Sequence, residues 1–407
     1  MWEHNIVPRE RARSYLAEVV HTAMLLAMLL MLWHGAGVEG YDRYFYDVIG
    51  QLVGCFMPAA LAMLLAMRCG VLDVSVWMSW SAGSVLAAAI LRAALPGEGE
   101  VHAGGWPWLA FAAAAGCGAA IGGVNALLSR IPRLPAVVAT AVTALLVWGL
   151  LHAVTTEREI PVHPRTFDAW HLETDVPVET EDDGNESADV MTACAPLAVT
   201  RMLAVALMLS AVLLAMLLRV GRSANASLDP TPPPWVRAVA LVAGGTVAAL
   251  GGALWLLEHN TAAVPRLPVH DLRIPVAVVL AGGLVLAGKG RSLLTVLYLP
   301  LAMLVTTLWY LDGWDLNARG YAFHLLVMLA AAVTVSLSLR AFALWGTATL
   351  KLAAACAVAS TLLLVVPTLT NSVSLATYAH TAAVALLIGG VALLAVGVRR
   401  QAVGRGL

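Results

Sequence analysis

The feature that most constrains this chain is the recurrence of uncharged apolar runs long enough to cross a lipid bilayer. A helix of about 20 apolar residues spans the hydrocarbon core. Scanned at that length, the sequence yields about twelve candidate spans. They lie near residues 15–33, 50–67, 71–91, 106–128, 134–154, 197–218, 236–257, 274–288, 292–311, 320–339, 343–366 and 377–398. Lipid offers no partner to backbone N–H and C=O groups, so a spanning segment is either a helix or part of a closed barrel. The two-residue alternation of barrel strands is absent, and the runs read as helices. Composition agrees, with 60% hydrophobic and only 12% charged residues. The expectation is an all-α polytopic membrane protein in contact with the lipid bilayer, and a soluble enzyme is excluded.

The formal net charge of -1 hides a polarity. With Arg9, Arg11 and Arg13 inside, alternation of the spans places Arg68, Arg130, Arg133, Arg219, Arg222, Arg237, Lys289, Arg291, Arg340, Lys351, Arg399, Arg400 and Arg405 on the same side. These are most of the 24 Lys and Arg, while most of the 25 acids fall in the opposite loops. Lys and Arg resist translocation, so this side and both termini are expected to be cytoplasmic, residues 1–14 included. The first run follows a basic start but has no small-residue cleavage site, and reads as a retained helix rather than a signal peptide. Trp33, Trp106, Trp108, Trp148, Trp255, Trp309 and Trp314 fall at outer helix ends, as an interfacial belt would.

Between the runs, residues 155–192 form an acidic extracytoplasmic loop. Its ETEDDGNESAD portion, 179–189, has almost nothing apolar to pack, so the loop is expected to be mobile or weakly ordered. It is either a solvated excursion or a docking surface for an extracytoplasmic protein. On the inner side, residues 220–235 are proline-rich. In SANASLDPTPPPW, 223–235, Pro230, Pro232, Pro233 and Pro234 exclude a helix interior, leaving a stiff connector or a partner-docking motif that ends where Trp235 opens the next span. GLVLAGKG, 283–290, has Gly290 where a phosphate-binding loop needs Ser or Thr, and reads as a tight turn between spans. Cys55, Cys69, Cys117, Cys194 and Cys356 have no metal-ligand spacing, and no disulfide framework is expected. No metal site and no nucleic-acid-binding surface is indicated. GCGAAIGGVNALL and AGGTVAALGGAL, at 116–128 and 243–254, place small residues at helical spacing, which lets helix backbones approach closely in lipid.

One segment breaks the apolar pattern. RCGVLDVSVWMSWSAG, 68–83, sets Asp73 between two runs, with Ser75, Ser79 and Ser81 behind it. A carboxylate at the bilayer centre costs roughly 2.5 to 3.5 kcal/mol even on insertion scales, so Asp73 must face water, protein or a helix end. Gly70 suggests a break. A helix starting near Leu72 would put Asp73 and Ser75 in its first turn, where their oxygens can accept from unpaired backbone N–H groups. Two readings stay open: an N-cap or buried network, and a lining residue of a polar pathway. Glu18 and His21 share a face near the cytoplasmic end of the first run, where water is close. His152, His324 and His380 sit near outer ends. They read as interface residues rather than as a proton relay.

The segment Gly70–Val76, GVLDVSV, resembles the G-x-x-D-L-S-V-G signature of permease subunits from bacterial ATP-binding-cassette importers for ribose and other monosaccharides, a group related to branched-chain amino acid permeases. Gly122, Asn125, Pro135, Ala139, Thr140, Thr143 and Gly149 fall without gaps on that family's second conserved segment. Val279, Gly282, Gly283, Gly288, Gly290, Ser292 and Thr295 resemble a third. The resemblance covers about residues 50–340. It implies a ten-helix permease core over 15–340, to which residues 341–407 add two helices and a short basic tail.

By that resemblance the chain is a divergent permease subunit in a bacterial plasma (inner) membrane, moving a small polar solute such as a sugar. It would pair with a second permease copy or a paralogue, receive solute from an extracytoplasmic binding protein and couple to cytoplasmic cassette ATPases. ATP would then be bound on the partner subunit, with no cofactor and no covalent chemistry in this chain. Asp73, Ser75, Asn125, Thr140 and Thr143 would line the pathway. Trp77 stands where the family ends its signature with glycine, a large ring able to gate a narrow passage. Gly221 and Arg222 match the start of the family's ATPase-coupling loop, beyond which the proline-rich stretch departs from the family's helix. The other reading is a degenerate, non-transporting accessory or structural subunit, its path plugged by Trp77 and its acidic outer loop the working surface.

Overall fold

The computed structural model describes residues 8–35, 56–94, 106–131, 134–155, 233–259, 273–281, 298–306, 318–366 and 373–403, together with Ile160, Val162, Met216 and Ala262. Helix is the regular structure found among the described residues. In chain order the helices are α1 (Pro8–Gly35), α2 (Met57–Arg68), α3 (Val76–Ala94), α4 (Trp106–Leu128), α5 (Ala136–Thr155), α6 (Pro234–His259), α7 (Arg273–Leu280), α8 (Ala318–Trp345), α9 (Ala348–Leu363) and α10 (Val373–Val403). A further helical stretch covers 298–306.

Among the described residues, seven of these, α1, α3, α4, α5, α6, α8 and α10, are long and apolar enough to cross a membrane. The chain is a multi-pass helical membrane protein in that sense. The α2 and α9 helices are apolar but shorter. Of the expected run at 197–218 only Met216 is described, and Gly221, Arg222 and GLVLAGKG lie outside the described residues.

The packing is organised around α6, which contacts α2, α3 and α4. Its small residues make this possible. A Cβ on Gly252 would collide with the backbone carbonyl of Trp80 in α3, and one on Gly83 of α3 with that of Ala249 in α6. On another face, Gly118 and Gly122 of α4 press against the carbonyls of Gly245 and Leu241. Lipid gives no hydrophobic drive between helices, so such contact draws on dispersion between closely apposed backbones. Large rings fill the far end of the same interface: Phe56 stacks on Trp80 at 5.2 Å, and Trp255 meets both at 5.4 and 5.6 Å. Trp255, expected in the belt, is half-buried and packs against these two rings.

The second half assembles on α8, which contacts α1, α7, α9 and α10. Ser360 of α9 donates to the Ala383 carbonyl of α10 at 2.7 Å. Burial falls from 72% of the α3 span to 17% of the α10 span, so α3 is a core element and α10 a peripheral one.

Two expectations shift. The break foreseen between 339 and 343 lies at Gly346 and Thr347, where Gly346 has φ +66° and Thr347 caps α9, accepting from the Leu350 N–H. Arg340 is thus inside a helix. Pro234, rather than Trp235, opens α6. Of the acidic loop only Thr155, Ile160 and Val162 are described: the Ile160 carbonyl accepts from Ala262 N at 3.0 Å and Val162 is buried, while ETEDDGNESAD lies outside the described residues.

Candidate functional site

The helix expected from Leu72 begins at Val76, because the local chemistry competes with it. Gly70 adopts φ +78° after the last turn of α2, a region that disfavours side chains. Asp73 Oδ1 then accepts from its own neighbour twice, from the Ser75 backbone N–H at 2.9 Å and the Ser75 hydroxyl at 2.7 Å. This i to i+2 pairing is an Asx turn, which holds the backbone out of the helix. The Ser75 carbonyl is the first to enter the ladder, accepting from Ser79 N at 2.9 Å. Asp73 and Ser75 consequently precede the first turn of α3 instead of sitting within it.

The non-helical segment 71–75 lies inside the bundle and needs partners for its polar groups. Two other helices supply them. From α4, Asn125 Nδ2 donates to the Ser75 hydroxyl oxygen and, at 3.4 Å, to Asp73 Oδ1. An ionised carboxylate only accepts, so the amide must present its nitrogen. From α5, the Thr140 hydroxyl donates to the Leu72 carbonyl at 3.0 Å and accepts from Val74 N at 3.2 Å. One side chain thereby closes two backbone groups two residues apart.

The sequence-expected residues divide accordingly. Asp73, Ser75 and Asn125 form one side-chain network and Thr140 holds the backbone of the same segment; they are 2%, 1%, 0% and 0% exposed. Among the described residues no cation pairs with Asp73, so neutral donors hold the carboxylate. Thr143 is buried but stands apart: its hydroxyl bonds the Ala139 carbonyl of its own helix at 3.1 Å. Trp77 is buried at the start of α3, with its indole N–H unpartnered among the described residues. The Asn125 Oδ1 atom is likewise buried and unpartnered there. No group of three or more His, Cys, Asp or Glu side chains able to hold a metal ion occurs among the described residues.

A second polar junction is less legible in the sequence. His21 of α1 bonds the Leu280 carbonyl at the end of α7 and packs edge-on against Tyr298 at 5.5 Å. Thr22 shares a 2.8 Å hydrogen bond with the Tyr298 hydroxyl. Ser336 of α8 donates to the Val279 carbonyl at 3.0 Å. A helix leaves its last carbonyls without intrahelical donors, and here side chains from two neighbours complete them. His21 is half-buried, with protein partners at the helix end where water was expected to be close. The only signal available was a histidine within an apolar run.

Chemically, the network around Asp73 can accept and donate hydrogen bonds and hold a chain break in place. No known protein family, no curated protein and no solved structure matches this chain.

Proposed function

We propose that the chain is the membrane-spanning permease subunit of an ABC-type importer in a bacterial inner membrane, moving a small polar solute, most simply a sugar. The observation that carries this reading is the break at 69–75: a buried carboxylate in non-helical backbone between apolar helices, fastened by α4 and α5. Irregular backbone is tolerated at membrane depth where it is buried in protein or lines a cavity, and transporters build their sites at interrupted helices. The likeness of Gly70–Val76 to the importer signature supports the same reading. In it, Asp73, Ser75, Asn125, Thr140 and Thr143 offer hydrogen bonds weak enough to release a solute. Cytoplasmic ATPases, a second permease and an extracytoplasmic binding protein complete the machine.

A non-transporting accessory subunit is the second reading, favoured by one observation. The polar side chains at the break largely satisfy one another, and Trp77 is buried beside them. Mild solubilisation of the protein tagged at its C-terminus, followed by mass spectrometry of what co-purifies, separates the two. Recovery of a cassette ATPase is expected. Stable, abundant protein without one would transfer the assignment to the accessory subunit.

A further inference from the structure

We propose that the protein binds one small monovalent cation, sodium, between the Asp73 carboxylate and the Asn125 side-chain carbonyl. Three donors reach Asp73 among the described residues: the Ser75 backbone N–H, the Ser75 hydroxyl and the Asn125 amide nitrogen. All three converge on Oδ1, so Oδ2 takes no hydrogen bond there. The Ser75 hydroxyl gives its one proton to Asp73 and accepts from Asn125 Nδ2. Asn125 Oδ1 is thereby left buried, on a residue 0% exposed, with no donor among the described residues.

The cluster therefore combines a surplus of acceptor oxygens with a full negative charge. Buried polar groups find partners, and buried charges find counter-charges. A further neutral donor would serve one oxygen and leave the charge, whereas a cation meets both needs. The donor set narrows its identity. Carboxylate and carbonyl oxygens are hard ligands, suited to alkali and alkaline-earth ions rather than to soft metals. One carboxylate neutralises one positive charge, and a divalent ion would leave a surplus charge in a dry interior. The described residues also gather no group of three His, Cys, Asp or Glu for a more highly charged metal.

Both ligands are held before an ion arrives. The Asx turn fixes Asp73, and Asn125 lies about one turn past Gly122, whose contact with the Leu241 carbonyl seats α4 against α6. Residues 71–73 stand outside the helices, and unwound backbone of this kind supplies carbonyl oxygens to sodium at interrupted membrane helices. A proton would occupy a single oxygen, while the break sets two free side-chain oxygens beside irregular backbone, as a coordinated ion requires. The assignment holds for a transporting and a non-transporting chain alike.

The test uses the full-length protein in mild detergent, with radioactive sodium bound at equilibrium and choline chloride holding the ionic strength fixed. The wild type is expected to bind sodium saturably, one ion per chain, with choline unable to displace it. Asp73→Asn keeps the oxygen that closes the Asx turn, removes the charge and should abolish binding. Asn125→Ala removes the free carbonyl and should weaken binding at least about tenfold. Ser129→Ala, which deletes a hydroxyl bonded to the Ala126 carbonyl just past the end of α4, should bind as the wild type does. Absence of saturable binding to the wild type would overturn the site. So would wild-type affinity in Asp73→Asn or Asn125→Ala, or displacement of the ion by an equal concentration of calcium. If Asp73→Asn does not fold, Asp73→Glu keeps the charge and moves the oxygens: weakened binding supports the assignment and wild-type affinity overturns it.

Discussion

Thr140 and Thr143 sit about one turn apart on α5, both buried, and the same substitution should treat them very differently. Valine copies the shape of threonine and removes the hydroxyl. At Thr140 this strips the partner from the Leu72 carbonyl and the Val74 N–H together. A buried polar group left unpaired costs about 1–3 kcal/mol, and these two bonds are part-buried, which places the expected loss for Thr140→Val at about 2–3 kcal/mol. That is roughly a 30- to 150-fold change in the folded-to-unfolded ratio. At Thr143 the hydroxyl only adds a second bond to the Ala139 carbonyl, which keeps its intrahelical donor. Thr143→Val should stay within about 0.5 kcal/mol of the parent. Tryptophan fluorescence during titration of mixed micelles with a denaturing detergent compares the variants on one scale. Equal losses, or a larger loss at Thr143, would refute the claim that Thr140 holds the break. A separate solute-uptake measurement on Thr143→Val then reports on the pathway alone, since its fold should be intact.

Two further outcomes follow from close contacts and burial. Gly252→Ala drives a methyl group into the Trp80 backbone and should cut the yield of monodisperse protein on size exclusion severalfold, whereas Gly116→Ala, which meets nothing within 4 Å, should be neutral or stabilising by up to about 1 kcal/mol. Burial pushes the Cys69 thiol up to about 11 against the opposing pull of Arg237 and Arg68. Maleimide labelling in the folded protein should therefore be negligible at pH 7 and increase as the pH approaches 11. Because the fold favours the neutral thiol, this group's contribution to stability should fade as pH climbs from its ordinary value of 9.0 to about 11. Arg237→Gln removes one of the opposing charges and should slow labelling further; labelling at pH 7 as fast as in denatured protein would sink this reading.

How far the sequence reveals the structure depends on whether a feature is local. The run at 106–128 coincides with α4, because an uninterrupted apolar stretch carries its own length information. Gly70 and Asp73 announce a break, yet α3 starts at Val76 and not near Leu72, since Asx-turn pairing to Ser75 overrides helix propensity there. Arg340 misled as a flank: a long cation can lie within a helix while Gly346, with its positive φ, ends it. The composition of Asn125, Thr140 and Thr143 could not say which side chains meet Asp73. Thr140 reaches the break and Thr143 does not because of where α3 begins relative to α5, a tertiary relation with no trace in the spacing. Trp255 was assigned to the belt from its position alone, and its partners Phe56 and Trp80 come from distant parts of the chain.

The central place of α6 has a consequence for biosynthesis. Its backbone fills the space between α2, α3 and α4, yet Gly245 is synthesised more than a hundred residues after Gly122, the glycine near which it comes to rest. At ribosomal rates of about 5–20 residues per second, the earlier helices wait on the order of ten seconds with their small-residue faces unfilled. During that interval the seam is open to lipid. The late helix then completes the bundle, so chains truncated before residue 259 should be degraded faster than the full-length protein.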